Sequence, residues 1–87
     1  MNIYIVKSVD ERNDDRDFRF NLTIEGAIHS IGRLVYDYLD KIKDWRRTNP
    51  AADLTPHDIT EALKTGRPVI TLDHTFKVYV DLDLLGD

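Results

Sequence analysis

The chain is expected to fold as an α+β domain in the order β-β-α-α-β-β, a four-stranded, mostly antiparallel sheet with two helices packed on one face. Three observations lead there. Residues 18–24 (Phe-Arg-Phe-Asn-Leu-Thr-Ile) alternate apolar and polar side chains without a break, the period-two signature of a half-buried strand. The run Leu54-Thr55-Pro56-His57-Asp58-Ile59 carries a complete helix-start signal. Between the two lies a long stretch whose apolar residues recur at helical spacing.

Residues 2–9 are rich in β-branched and aromatic side chains and suit a strand. Ile3 and Ile5 alternate with Tyr4 and Val6, so both faces are apolar and the strand is expected at the centre of the sheet, beside the last one. Residues 10–17 (Asp-Glu-Arg-Asn-Asp-Asp-Arg-Asp) contain no apolar side chain and read as a solvated hairpin loop, long for such a connection. In the next strand Phe18, Phe20, Leu22 and Ile24 are expected to face the core, with Arg19, Asn21 and Thr23 facing out.

Thr23 is placed to cap the first helix, and Glu25 complements its dipole. Ile28, Ile31, Val35, Tyr38, Ile42 and Trp45 recur every three or four residues, with Ala27, Leu34 and Leu39 widening the stripe. This spacing predicts a helix over residues 25–46, about 33 Å long at ~1.5 Å per residue. A seven-residue strand spans only about 23 Å, so the helix end, with Trp45, Arg46 and Arg47, should overhang the sheet. Gly32, inside this helix, costs about 1 kcal/mol relative to Ala and points to close approach of another backbone. Residues 48–53 are a connection. Thr55 then caps the second helix, Leu54 staples onto Ile59, Pro56 takes the first helical position, Asp58 closes a capping box and Gly66 ends the helix. Residues 69–72 and 75–82 form a hairpin across Asp73 and His74. Phe76, Val78, Val80 and Leu82 give its second strand a clean apolar face, with Tyr79 on the other side. Residues 83–87 are a short acidic tail.

Composition narrows the function. The 87 residues are expected to form one domain, 1–87. There are no cysteines, which excludes disulfides, thiolate zinc sites and thiol nucleophiles. Sixteen acidic against twelve basic residues give a net charge of −4. That argues against binding nucleic acid directly, since such affinity comes mostly from neutralising phosphates, and towards a protein partner with a basic surface. No apolar run approaches the roughly 20 residues that span a bilayer, and residues 1–7 lack the charged and apolar regions of a secretory signal. The expectation is a cytoplasmic protein, in the producing cell or in a host, without membrane contact. His29, His57 and His74 show no metal-ligand spacing, and the acidic residues lack the glycine and terminal glutamate of a calcium loop. No metal, cofactor or enzymatic activity is expected. Lys41, Lys43, Arg46 and Arg47 complement the dipole at a helix C-terminus. The second helix offers no arginine for reading guanine.

The residues expected to meet a partner are the acidic loop, Asp10, Glu11, Asp14, Asp15 and Asp17, and the aromatic residues Tyr4, Tyr36, Trp45 and Tyr79. Tyr4 and Tyr79 are expected to share the outer sheet face. These features fit a non-enzymatic protein-binding module, a monomer or homodimer. Its most specific version is a small acidic inhibitor of the kind phages and mobile elements encode, seated on a basic, nucleic-acid-handling complex. Anti-CRISPR proteins are inhibitors of this size and charge; the likeness extends to those two properties alone. The alternative expectation is a structural or adaptor subunit of a homo-oligomer.

Overall fold

A computed structural model describes residues 2–84. Residues 85–87 of the acidic tail lie outside the described residues. The elements are β1 (Asn2–Asp10), β2 (Asp15–Asn21), α1 (Ile24–Lys41), a 3-10 turn (Pro50–Asp53), α2 (Pro56–Thr65), β3 (Ile70–Leu72) and β4 (Phe76–Leu84). The expected α+β order stands, with the 3-10 turn added between the helices. The four strands form one antiparallel sheet in the order β2-β1-β4-β3, so the first and last strands are its central pair.

The apolar face of β4 decides which side of the sheet is the core. Val78 and Val80 are buried, and their cross-strand partners are Ser8 and Val6. Directly opposed residues share a face, so Tyr4, Val6, Ser8 and Asp10 turn towards the helices. Against them pack Ala27, Ile31, Leu34, Val35, Tyr38 and Leu39 of α1 and Ile59 of α2. The Tyr38 ring stacks on Phe76 with centroids 4.2 Å apart.

This geometry overturns the expected facing of β2. Arg19 lies opposite Val6, and Asp17 opposite Ser8, so the polar side chains of β2 turn towards the helix layer. Phe18 and Phe20 lie opposite Lys7 and Ile5 on the opposite face, 49% and 65% exposed. Leu22, beyond the strand, is also exposed rather than core. Because the side-chain period of a strand is 2, the register of the β1–β2 hairpin alone selects which set faces in. That register is held by the connection Glu11–Arg12–Asn13–Asp14. The Asp10 carboxylate accepts from the Asn13 side-chain amide at 2.8 Å, and Glu11 N–H donates to the Thr75 carbonyl at 2.8 Å. The expected loop over residues 10–17 is therefore shorter: Asp10 ends β1 and Asp15 begins β2.

The first helix starts as expected, with the Thr23 hydroxyl accepting from Gly26 N–H at 2.9 Å. It stops earlier than expected, at Lys41 rather than residue 46. Asp44 N–H donates to the Leu39 carbonyl at 2.9 Å and Lys43 N–H to the Asp40 carbonyl at 3.0 Å, with Lys43 at φ 59°. This is a Schellman closure built on a lysine. The close backbone approach expected at Gly32 does not occur: an added methyl would meet only the Ala51 side chain at 3.9 Å, an ordinary contact, and the neighbouring polar contact is the Asn49 side-chain amide donating to the Gly32 carbonyl at 3.1 Å.

At the start of α2, the Asp58 carboxylate accepts from the Thr55 N–H at 2.8 Å and from its hydroxyl at 3.0 Å. The backbone bond, reinforced by the hydroxyl, holds that carboxyl below its ordinary range. Gly66 ends the helix at φ 70°, as expected.

Candidate protein-binding surfaces

The sheet carries two chemically different surfaces at the end where the β1–β2 and β3–β4 turns meet. On the helix side, Asp15 and Asp17 project from β2 towards Asp37 and Lys41, one helical turn apart on α1. Together with Asp10 and Ser8 they surround a cleft of about 90 Å3 floored by Leu34, Tyr38 and Phe76. Four carboxylates and one ammonium group thus line it, the latter reaching Asp15 at 3.5 Å. The polar inversion of β2 produces this cleft: had Phe18 and Phe20 faced in, no carboxylate of β2 would border α1.

A second acidic group tightens the same end. Asp73, in the β3–β4 turn, accepts from the Tyr38 hydroxyl at 2.6 Å and from Arg47 at 3.0 Å. The Tyr38 hydrogen bond, and then the Arg47 guanidinium, hold the Asp73 carboxyl below its ordinary range. Burial pushes the Tyr38 hydroxyl up, and the same carboxylate adds to that. The bond to Asp73 also raises Arg47. The cleft floor is consequently tied to the turn by a charged network.

The acidic residues singled out from sequence separate in the structure. Asp15 and Asp17 border the cleft. Asp10 is 6% exposed and serves the turn, so it is a structural anchor rather than a surface contact. Glu11 and Asp14 are exposed in the turn itself, and Glu11 pairs with Lys77 at 2.9 Å, which raises the lysine. Asp37 completes the cleft and was missed. Its only sequence signal is its place on the polar face of α1, shared with Asp40.

The opposite face of the sheet is open over Phe18 and Phe20, while Leu63 and Gly66 at the end of α2 border it beside Ile5, Tyr79 and Asp81. Across it run Phe20, Ile5 and Asp81 at one level, Phe18, Lys7 and Tyr79 at the next, and Arg16, Val9 and Lys77 nearest the turns. The Lys7 ammonium sits 5.4 Å from the Tyr79 ring centroid. Tyr79 is on this face as expected. Tyr4 is not: it lies opposite Asn21 and Leu82 on the helix side and packs against the core. The expected Tyr4–Tyr79 patch therefore does not form, and Phe18 and Phe20 supply its aromatic content instead. Their apolar alternation signalled burial and so hid them. Tyr36 and Trp45 are exposed elsewhere, Tyr36 beside Arg33 and Trp45 donating its indole N–H to Asp40 at 2.9 Å.

No group of His, Cys, Asp or Glu side chains among the described residues has the geometry to hold a metal ion. No helix among them is long and apolar enough to cross a membrane. The chain matches no protein-family model, no curated protein and no solved structure.

Proposed function

We propose that this chain is a non-enzymatic protein-binding module that presents its acidic cleft to a basic surface on another protein. The observation that carries the reading is the convergence of Asp15, Asp17 and Asp37 from two different elements onto one cleft, above a floor in which the Tyr38 ring stacks on Phe76. Carboxylates held on a strand and a helix are pre-positioned, so lysine and arginine side chains of a partner meet them without reordering a loop. The net charge of −4 extends the same field over the surface and steers a basic partner. A nucleic-acid-handling complex carries such a surface, and a small acidic inhibitor of the phage or mobile-element kind is the most specific version, acting in the cytoplasm of the producing or host cell.

The test is association kinetics against purified nucleic-acid-guided nuclease complexes and polymerases. Binding should slow as salt rises, because exposed charges are screened within about 8–10 Å. Converting Asp15, Asp17 and Asp37 together to Asn should reduce the association rate far more than it raises the dissociation rate. An association rate indifferent to salt and to this triple change rules the acidic cleft out as the contact.

The second reading, a subunit of a homo-oligomer, is favoured by one specific observation: the sheet face that is open over Phe18 and Phe20, both exposed.

A further inference from the structure

We infer that the acidic cleft is a socket for a single lysine side chain of the partner, whose ammonium group donates to the Ser8 hydroxyl and to the Asp37 carboxylate. The inference rests on the reading of the cleft as the contact surface and adds what enters it.

Most polar groups around the cleft are already engaged. Asp10 accepts from Asn13, Asp17 pairs with Arg19, and Asp15 meets Lys41 at 3.5 Å. Two groups are not. The Asp37 carboxylate, on the α1 wall, has no hydrogen-bond or ion-pair partner among the described residues. Ser8 is 6% exposed, and its hydroxyl has no partner among the described residues either. Ser8 belongs to the inner strand β1 and shares the helix-side face with Asp17 and Val78, the residues opposite it on the two neighbouring strands. It therefore reaches the cleft from the sheet side, facing α1. Buried hydroxyls are nearly always hydrogen-bonded. One left open in a cleft that solvent reaches fits a donor brought from outside.

The surroundings select the charge and shape of that donor. Carboxylates on both the strand and the helix side exclude an anion and favour a cation. An ammonium group carries three donors that diverge from one point, which matches a hydroxyl below and a carboxylate to the side. A guanidinium is a flat fork suited to paired acceptors in one plane. The lysine stem is apolar, and the floor of Leu34, Tyr38 and Phe76 gives it a surface to lie on. Lys41 shows the same chemistry at the rim. Its pair with Asp15 is long and both side chains are more than half exposed, so it contributes little and leaves Ser8 and Asp37 open.

The experiment is an NMR titration of the isotopically labelled full chain with a blocked pentapeptide that carries one central lysine, at fixed low salt. Two further peptides carry Nε-acetyllysine or arginine in its place. Saturable shifts should appear at the amides of Ser8 and Asp37. Acetyllysine, which is neutral, should abolish them, and arginine should bind about tenfold more weakly. Ser8→Val occupies the bottom of the cleft without changing any charge, and should weaken lysine binding about tenfold, the loss of one hydrogen bond to a charged group. Ser8→Ala adds no volume and repeats the test without risk to the fold, with circular dichroism as the check. Asp37→Asn should weaken binding as much, whereas Asp53→Asn, the same charge change in the 3-10 turn, should leave it nearly unchanged. The inference is overturned if no shift saturates at the cleft, if the arginine peptide binds as tightly, if both Ser8 variants bind like the wild type, or if Asp37→Asn matches Asp53→Asn. Failure of the acidic-cleft reading shows elsewhere, in an association rate with a basic protein that ignores salt and the triple Asn change. The Ser8 variants alter no charge, so the two failures are distinct.

Discussion

Lys43 stands where a glycine ordinarily ends a helix. Its φ of 59° lets the chain reverse so that Asp44 and Lys43 satisfy the last open carbonyls of α1. A side chain in this conformation costs about 1 kcal/mol or more, because Cβ crowds the following carbonyl. Nothing in residue identity marks the stop, and Ile42 and Trp45 continue the apolar spacing past it. Trp45 in consequence leaves the stripe and is 69% exposed. Lys43→Gly should raise stability by about 1 kcal/mol, or roughly 4–8 °C in Tm for a domain of this size. Thermal denaturation of the variant checks it; a lowered Tm would mean that the lysine stem contributes more than the strain removes.

At the scale of elements, β2 is the instructive case. Its alternation is correct and its facing is reversed. Burying Val6 and Val78 requires one face of β1, and a turn closing Asp10 onto Asp15 transmits that choice to β2. The consequence is measurable. Converting Phe18 and Phe20 together to Thr should change the stability of the dilute monomer by under about 0.5 kcal/mol per site, as for other surface positions. Were the two rings core, each truncation would cost about 3–5 kcal/mol. Chemical denaturation at low protein concentration separates these values. The same inversion creates the acidic cleft, since it brings Asp15 and Asp17 to the border of α1.

At the scale of the whole molecule, Asp73 joins parts distant in sequence: Tyr38 at the end of α1, Arg47 in the connection and the β3–β4 turn. The turn itself has Asp73 at φ 54° and His74 at φ 61°, the two positive angles of a type I′ hairpin, where Asn substitutes without strain. Asp73→Asn therefore isolates the charge. The folded-state carboxyl is lowered, so ionised Asp73 stabilises the fold above the unfolded value of about 3.9. That stabilisation is lost as pH falls through the lower folded value. Wild type should exceed Asp73→Asn in stability at neutral pH, and the difference should shrink in the acid range below about pH 4. Denaturation midpoints of the two proteins from neutral pH into that range test it; a gap that is flat or widens with acid would contradict the network.

Local chemistry was enough to read which segments are helix and which are strand. The Thr23 cap, the Thr55–Asp58 start, Gly66 and the Asp73–His74 turn each act through neighbours a few residues away, so residue identity reveals them. The central pairing of the first and last strands was also legible, because both faces of residues 2–9 are apolar. Other features depend on partners far along the chain. Whether Phe18 and Phe20 are core or surface depends on how β4 engages β1, more than fifty residues later in the sequence. Whether Asp10 is a contact or an anchor depends on the turn that buries it, and whether Asp37 belongs to a site depends on the strand beside it. A strand's pattern carries the period but not the phase; only the assembled sheet, with one face against the helices, supplies the phase.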